Sequence, residues 1–214
     1  MQRCSKRHCG EKNQVSQTLQ EIEQNLKSRK QTDKIMWFSM WATLSVASFG
    51  IAWFPMVYNL IKRRNEHFAR RAKLEKLISS KLQTKNTKSA PDHMVSPINA
   101  LAWTIASVLI VPAFYIFYKI KKDLESHEIH EHDFLAEVIE LAKESEETLN
   151  IQGLMTTPSF SAGKYIGLSV VSCGLAVAYW LYRIFNDYNS HFKMQWKNED
   201  ELLNFLEAID KKTC

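Results

Sequence analysis

Three stretches of this 214-residue chain lack acidic and basic side chains altogether: residues 35–61, 98–118 and 165–182. The charged residues, 24% of the total, are therefore crowded into the segments between them. Other absences narrow the function. There is no Gly-rich phosphate loop, no Gly-x-Ser-x-Gly turn and no His-Glu-x-x-His, so the sequence carries no sign of an enzyme. The apolar stretches hold no ionisable group of the kind that lines a proton relay or an ion pathway. With Cys173 inside an apolar stretch and Cys214 at the end, the four cysteines form no disulfide framework. The basic run after residue 61 abuts an apolar stretch and contains no recognition motif, which excludes a nucleic-acid partner.

About 20 apolar residues suffice to cross the hydrocarbon of a bilayer as a helix. The three stretches meet that length, and the predicted fold class is an all-α membrane protein with three transmembrane helices. The boundaries are a polar tail with an amphipathic helix (1–34), helix one (35–61), a basic helix and loop (62–97), helix two (98–118), an acidic His-containing helix and loop (119–162), helix three (163–186) and a C-terminal amphipathic helix (187–214). Tryptophan and tyrosine crowd the block ends, as at a headgroup boundary. Ser96 and Pro97 read as the N-cap and first turn of helix two, while Pro55 and Pro112 are expected to bend helices one and two. Ten Lys and Arg residues in 62–97 against few in 119–162 place the first connection and the C-terminus in the cytoplasm, with the N-terminus outside. The predicted location is the cell membrane.

Sliding the chain by 124 positions aligns 44–68 with 168–192, and ten of the 25 positions match. Membrane composition explains Leu44/Leu168, and the aromatic belt explains Tyr58/Tyr182. Neither explains Asn65-x-His67-Phe68 against Asn189-x-His191-Phe192, which indicates an internal duplication of helices one and three. Tyr118 also stands nine residues before His127, as Tyr58 does before His67. Because helix two runs the opposite way in a three-pass topology, this echo is taken as coincidence. The pattern Ser172, Gly174, Leu175, Tyr179, Trp180, Tyr182, Asn189 and His191, with Ser48, Gly50, Ile51, Tyr58, Asn65 and His67, resembles a small prokaryotic multi-pass membrane domain family of unassigned function. The resemblance implies a membrane module and no reaction. It covers about a quarter of the chain, and Phe54-Pro55 departs from Ala178-Tyr179.

Small residues at four-residue spacing let helices approach closely. Gly163 with Gly167, Ser172 with Ala176, Gly174 with Ala178, and Ser48 with Ala52 are the expected packing positions. Outside the apolar blocks, Val15, Leu19, Ile22 and Leu26 form one helical stripe, as do Leu74, Leu77, Ile78 and Leu82. Phe134, Leu135, Val138, Ile139 and Ala142 form a third, and Leu202, Leu203, Phe205, Leu206 and Ile209 a fourth; these faces are expected to pack on one another, on lipid or on a partner. The leading reading is an accessory or scaffold subunit whose partners are membrane lipid and other membrane-protein subunits or a second copy, with no cofactor. The alternative is a metal-binding or metal-delivery protein. Asp123, His127 and His130 share a helical face with Glu131 and His132 nearby, a ligand set suited to Zn, Cu or Ni. His67 and His191, where helices leave the headgroups, are weighed for phosphate, capping and metal roles. Cys4, His8 and Cys9 resemble half a zinc knuckle without its second half.

Overall fold

The computed structural model describes residues 2–82, 95–144, 149, 151, 161–172 and 175–213; side chains before residue 17 and at 144, 162, 170 and 213 are not described. Within them the chain is all-α: α1 (Gln2–Thr32), α2 (Phe38–Ala47), α3 (Trp53–Lys81), α4 (Ala100–Ala106), α5 (Ile110–Glu144), α6 (Ala162–Val171) and α7 (Leu175–Thr213). The all-helical reading holds. No helix among these residues is long and apolar enough to cross a membrane, so three transmembrane helices and the multi-pass location have no support.

The physical reason is that each apolar block reverses in its middle. In the first, Phe49 and Gly50 take left-handed backbone angles (φ 50° and 89°), a conformation natural to glycine. The chain folds back until the Arg63 guanidinium donates to the Lys34 carbonyl at 3.3 Å. In the second, the reversal at Ser107–Leu109 brings Trp103 and Tyr115 into a stack at 5.2 Å. In the third, Tyr165 stacks on Trp180 at 5.5 Å, whereas 15 residues of straight helix would separate them by about 22 Å. Ser48 and Ser172 stabilise two of the reversals, each Oγ accepting the backbone N–H four residues on, at 2.9 Å. Pro55 and Pro112 do not bend continuous helices. Each is the third residue of an outgoing helix, where no intrahelical donor is needed. Asn99, rather than Ser96, caps α4, accepting from the Ala102 N–H at 3.0 Å.

Three hairpins, α2–α3, α4–α5 and α6–α7, therefore stand side by side. Their long second arms run parallel, with α5 offset from α3 by 60 residues and α7 from α5 by 64. Equivalent positions meet in layers. Leu60, Ile120 and Ile184 form one at 0% exposure; Met56, Ile116 and Trp180 lie one turn nearer the reversals, and Ile78, Val138 and Leu202 lie near the far end. Spacings of three and four residues between layers are those of a parallel coiled coil. The echo between Tyr118 and His127 is thus the third copy of the repeat, and the reason for dismissing it disappears because α5 runs parallel to α3.

The four predicted amphipathic stripes supply the far core. Ile22 and Leu26 of α1 pack with Leu74, Phe134, Leu135, Val138, Leu202 and Leu206. The predicted small-residue contacts fare differently. A Cβ at Gly163 or Gly167 would meet nothing within 4 Å, so among the described residues no helix packs on that edge. Ala176 is buried and Ala178 exposed, while Gly174 and Cys173 fall outside the described residues, as do most of the two predicted loops.

The repeated asparagines close the ring of hairpins. Asn65 of the first hairpin accepts from the Ile98 N–H (3.1 Å) and donates to its carbonyl (2.7 Å), gripping the chain that leads into the second. Asn189 of the third does the same to Met36 (3.2 and 2.8 Å), gripping the chain that leads into the first. Both grips lie two residues before a helix, where backbone groups otherwise lack partners. Asn65→Ala or Asn189→Ala is expected to cost about 2 kcal/mol each, because both backbone groups stay inside without a partner. Urea unfolding of the variants measures it, and Asn→Asp at either site does not restore the loss because the donor is gone.

Candidate metal centre

At the middle layer all three positions are histidine. His67, His127 and His191 are 0%, 7% and 4% exposed, and one ring nitrogen of each lies within 4.8 Å of the other two. The equal phase of the three arms puts them there. Each imidazole is also touched by the residue that follows the histidine of the preceding hairpin. Phe68 lies against His127 at 4.6 Å, Phe192 against His67 at 4.5 Å, and Glu128 Oε1 sits 3.1 Å from His191 Nδ1. This contact runs in the same cyclic sense as the asparagine grips.

Hydrogen bonds fix the orientation of two rings. His67 Nδ1 meets Asp33 Oδ1 at 2.9 Å, and Asp33 also accepts from Arg70 (2.8 Å) and from the Trp196 indole (2.8 Å). Carboxylates accept, so the Nδ1 hydrogens of His67 and His191 are donated outward to Asp33 and Glu128. Both Nε2 atoms are then bare acceptors, and they face each other at 3.3 Å. Two lone pairs in that position repel unless a cation lies between them. His127 Nε2 is likewise buried without a hydrogen-bond partner. Glu131 Oε2 stands 3.9 Å from both His127 Nε2 and His191 Nε2, while its Oε1 is held by Gln195 at 2.9 Å and Arg71 at 3.1 Å.

On His67 or His127 a proton is a poor candidate for that cation. Burial lowers the His67 pKa to about 4, despite the opposing pull of Asp33. His127 lies well below its ordinary value, first by burial and then by the neighbouring imidazoles. Asp33 and Glu131 stay charged. Burial alone would raise Asp33, but His67 and Arg70 outweigh it and hold it below the usual range; Arg71 does the same for Glu131. Asp33, Glu128, Glu131 and Glu199 stand against Arg70 and Arg71, with Glu199 bridged to Arg70 at 2.9 Å and Arg71 at 3.7 Å. Burial raises Glu199, which also lies 4.0 Å from the Arg29 guanidinium.

The four metal residues expected on a single helix are not brought together. Asp123 pairs with Arg64 at 2.6 Å and Lys119 at 3.4 Å, His130 with Glu75 at 3.3 Å, and His132 lies beside Asp133 at 3.4 Å, pointing away from the bundle axis. His127 alone of the set faces the axis. Its partners His67 and His191 come from the repeat motif, and Glu131 from the next turn of α5. The signal was the nine-residue spacing from Tyr58, Tyr118 and Tyr182 to a histidine, present three times. The side chains of Cys4, His8 and Cys9 lie outside the described residues.

No protein family model matches this chain, and neither a curated protein nor a solved structure is similar to it. The site therefore speaks through its own chemistry. Three imidazoles and a carboxylate, with second carboxylates behind two of the rings, are the ligand arrangement of a transition-metal centre.

In the metal-free protein, His67 binds its proton less readily when folded than unfolded. The unfolded chain therefore holds more protons between pH 6.5 and about 4, and stability falls as pH drops through that window. The loss attributable to His67 approaches about 3 kcal/mol, and Asp33 adds a further loss only below its ordinary value of 3.8. Urea unfolding across the window in the presence of chelator should show the slope, and His67→Gln should reduce it, leaving the contribution of His127.

Proposed function

We propose that this protein binds one divalent transition-metal ion through His67, His127 and His191, with Glu131 as the fourth ligand, and that the ion locks the three hairpins together. The observation that carries this reading is the facing pair of bare Nε2 atoms, 3.3 Å apart. Two nitrogens bound to one tetrahedral zinc at 2.0–2.1 Å are separated by about 3.3–3.4 Å. Closure of the ligand set by three imidazoles and a carboxylate favours zinc, with copper and nickel the competing ions for imidazole.

The site suits holding rather than turnover. A catalytic zinc keeps an open position for water, whereas these imidazoles are at most 7% exposed and Glu131 stands where a water would bind. Each ligand comes from a different hairpin, apart from Glu131, one turn beyond His127. An ion at this point cross-links elements that meet elsewhere through apolar layers and asparagine grips. Metal binding is then folding free energy for the hairpin ring.

Elemental analysis of the full chain purified in mild detergent is expected to give about one zinc per chain. His67→Ala, His127→Ala and His191→Ala should each abolish it, and Asp33→Asn should weaken affinity about 10–100-fold by releasing His67. His132→Ala leaves it unchanged. Unaltered metal content in all three histidine variants, or no metal after reconstitution with excess zinc, would refute the proposal.

A further inference from the structure

We infer that the reversed ends of the three hairpins embed in a single leaflet of a lipid bilayer without crossing it. The observations are independent of the metal centre. All three reversals lie at the same end of the parallel bundle, and the side chains there are apolar and uncovered. Phe49 is 99% exposed, Val171 86%, Val111 79%, Leu175 78% and Ile51 71%. In water these residues form an unsatisfied apolar end far beyond what a soluble chain ordinarily shows.

The dimensions select the occupant. Phe49 precedes Tyr58 by nine residues, and Leu109 precedes Tyr118 by nine, so these two reversals project about 13 Å beyond their tyrosines. The hydrocarbon of one leaflet is about 15 Å deep. Tyr58, Tyr118 and Tyr182 are equivalent residues on the three arms, each partly exposed, and they form a ring of phenols at one height, where an aromatic belt meets headgroups. The nearest charges lie just behind this ring and are cationic. Lys62, Lys119 and Arg183 follow the tyrosines by four, one and one residues, each with a carboxylate one turn further from the tips (Glu66 at 3.7 Å, Asp123 at 3.4 Å and Asp187 at 3.7 Å), and Lys193 Nζ sits 5.9 Å over the Trp37 ring. Neutral tips, phenols and then cations match the order of acyl chain, interface and phosphate.

Two further features fit hydrocarbon. Two of the reversals satisfy a backbone donor internally, through Ser48 and Ser172, as a bend inside lipid requires. Between the tips lies a cavity of about 690 Å³ lined mainly by apolar side chains, among them Trp53, Phe114, Phe117 and Val177, with Ser45, Ser107 and Ser169, a volume that an acyl chain fills favourably. A second copy seated tip to tip would cover the apolar ends, but it gives no role to a cationic ring set back from the contact.

The test uses the full chain with Cys4, Cys9, Cys173 and Cys214 replaced by Ser and one cysteine introduced at Phe49, Leu109, Lys34 or Lys122. Each variant is labelled with an environment-sensitive fluorophore and added to sealed phosphatidylcholine vesicles containing phosphatidylglycerol. The protein is expected to float with the vesicles. Probes at 49 and 109 should be quenched by acyl-brominated lipid, and probes at 34 and 122 should not. An impermeant thiol reagent outside should modify unlabelled cysteines at 34 and 122, while the same reagent trapped in the lumen modifies none. Phe49→Asp with Leu109→Asp should reduce flotation at least tenfold with helical content unchanged. Labelling of residue 49 or 109 from the lumen overturns the inference in favour of a crossing. Failure to float, or equal shielding of the tip probes without lipid in a dimer, overturns it in favour of a second copy.

Discussion

Three imidazoles pointed at one another inside a helical bundle impose a constraint that the surrounding structure has to meet. Buried nitrogen lone pairs without donors are costly, and here protonation is opposed by burial. The carboxylates answer one half of the problem by taking the Nδ1 hydrogens, which turns the Nε2 atoms inward. Arg70 and Arg71 answer part of the charge that those carboxylates bring. A buried ionic cluster of this kind is weak as a source of stability, since desolvation consumes most of the Coulomb attraction. Its value lies in registry. Sliding any arm by one turn would strand a histidine, a carboxylate and a guanidinium together, so the three hairpins have one acceptable alignment.

Pseudo-threefold symmetry makes this arrangement economical. One hairpin with an apolar face cannot bury it alone; three copies closed in a ring bury all of theirs. The layers show where repetition is kept and where it is broken. Leu60, Ile120 and Ile184 are near-equivalents because aliphatic groups attract regardless of identity. At the layer of Arg71, Glu131 and Gln195 identity would be ruinous, since three like charges on an axis repel. The copies have diverged there into a cation, an anion and an amide that bond one another. Asn65 and Asn189 are retained and the equivalent residue is Glu125, which pairs with Lys122 at 3.0 Å. A carboxylate cannot donate to a carbonyl, so the joint between the second and third hairpins has a different chemistry from the other two.

Much of the helical architecture was legible in the sequence. Four amphipathic stripes read at helical spacing became the far core, with Ile22, Phe134 and Leu206 facing one another as their periodicity requires. The duplication of Asn-x-His-Phe was legible too, because those residue types have no reason to recur in phase outside a shared structure. The reversals were not. A run of 27 residues without charge satisfies the length rule for a span, and the signals that break it, Phe49-Gly50 after Ser48, contain none of the Asn, Asp or Pro usual in turns. Polar turn chemistry is limited to serines such as Ser48 and Ser172, set among apolar neighbours. Read as spans, the three blocks alternate in direction, which makes the spacing from Tyr118 to His127 look accidental and points to a metal site along one helix, where Asp123 and His130 have the right types on the wrong side. The wider lesson concerns spacing. Repeats compared pairwise conceal a third member whose loops differ in length, and here the offsets of 60 and 64 residues hide a common phase.

Placement of all three reversals at one end has a consequence for biogenesis. A multi-pass protein must carry hydrophilic segments through the bilayer during synthesis, at a cost that a protein-conducting channel exists to lower. In this fold the charged arms of α3, α5 and α7, together with α1, sit on the side from which the chain would approach. Only uncharged hairpin ends would enter lipid, so attachment could follow completion of folding and would call for no translocation of polar chain.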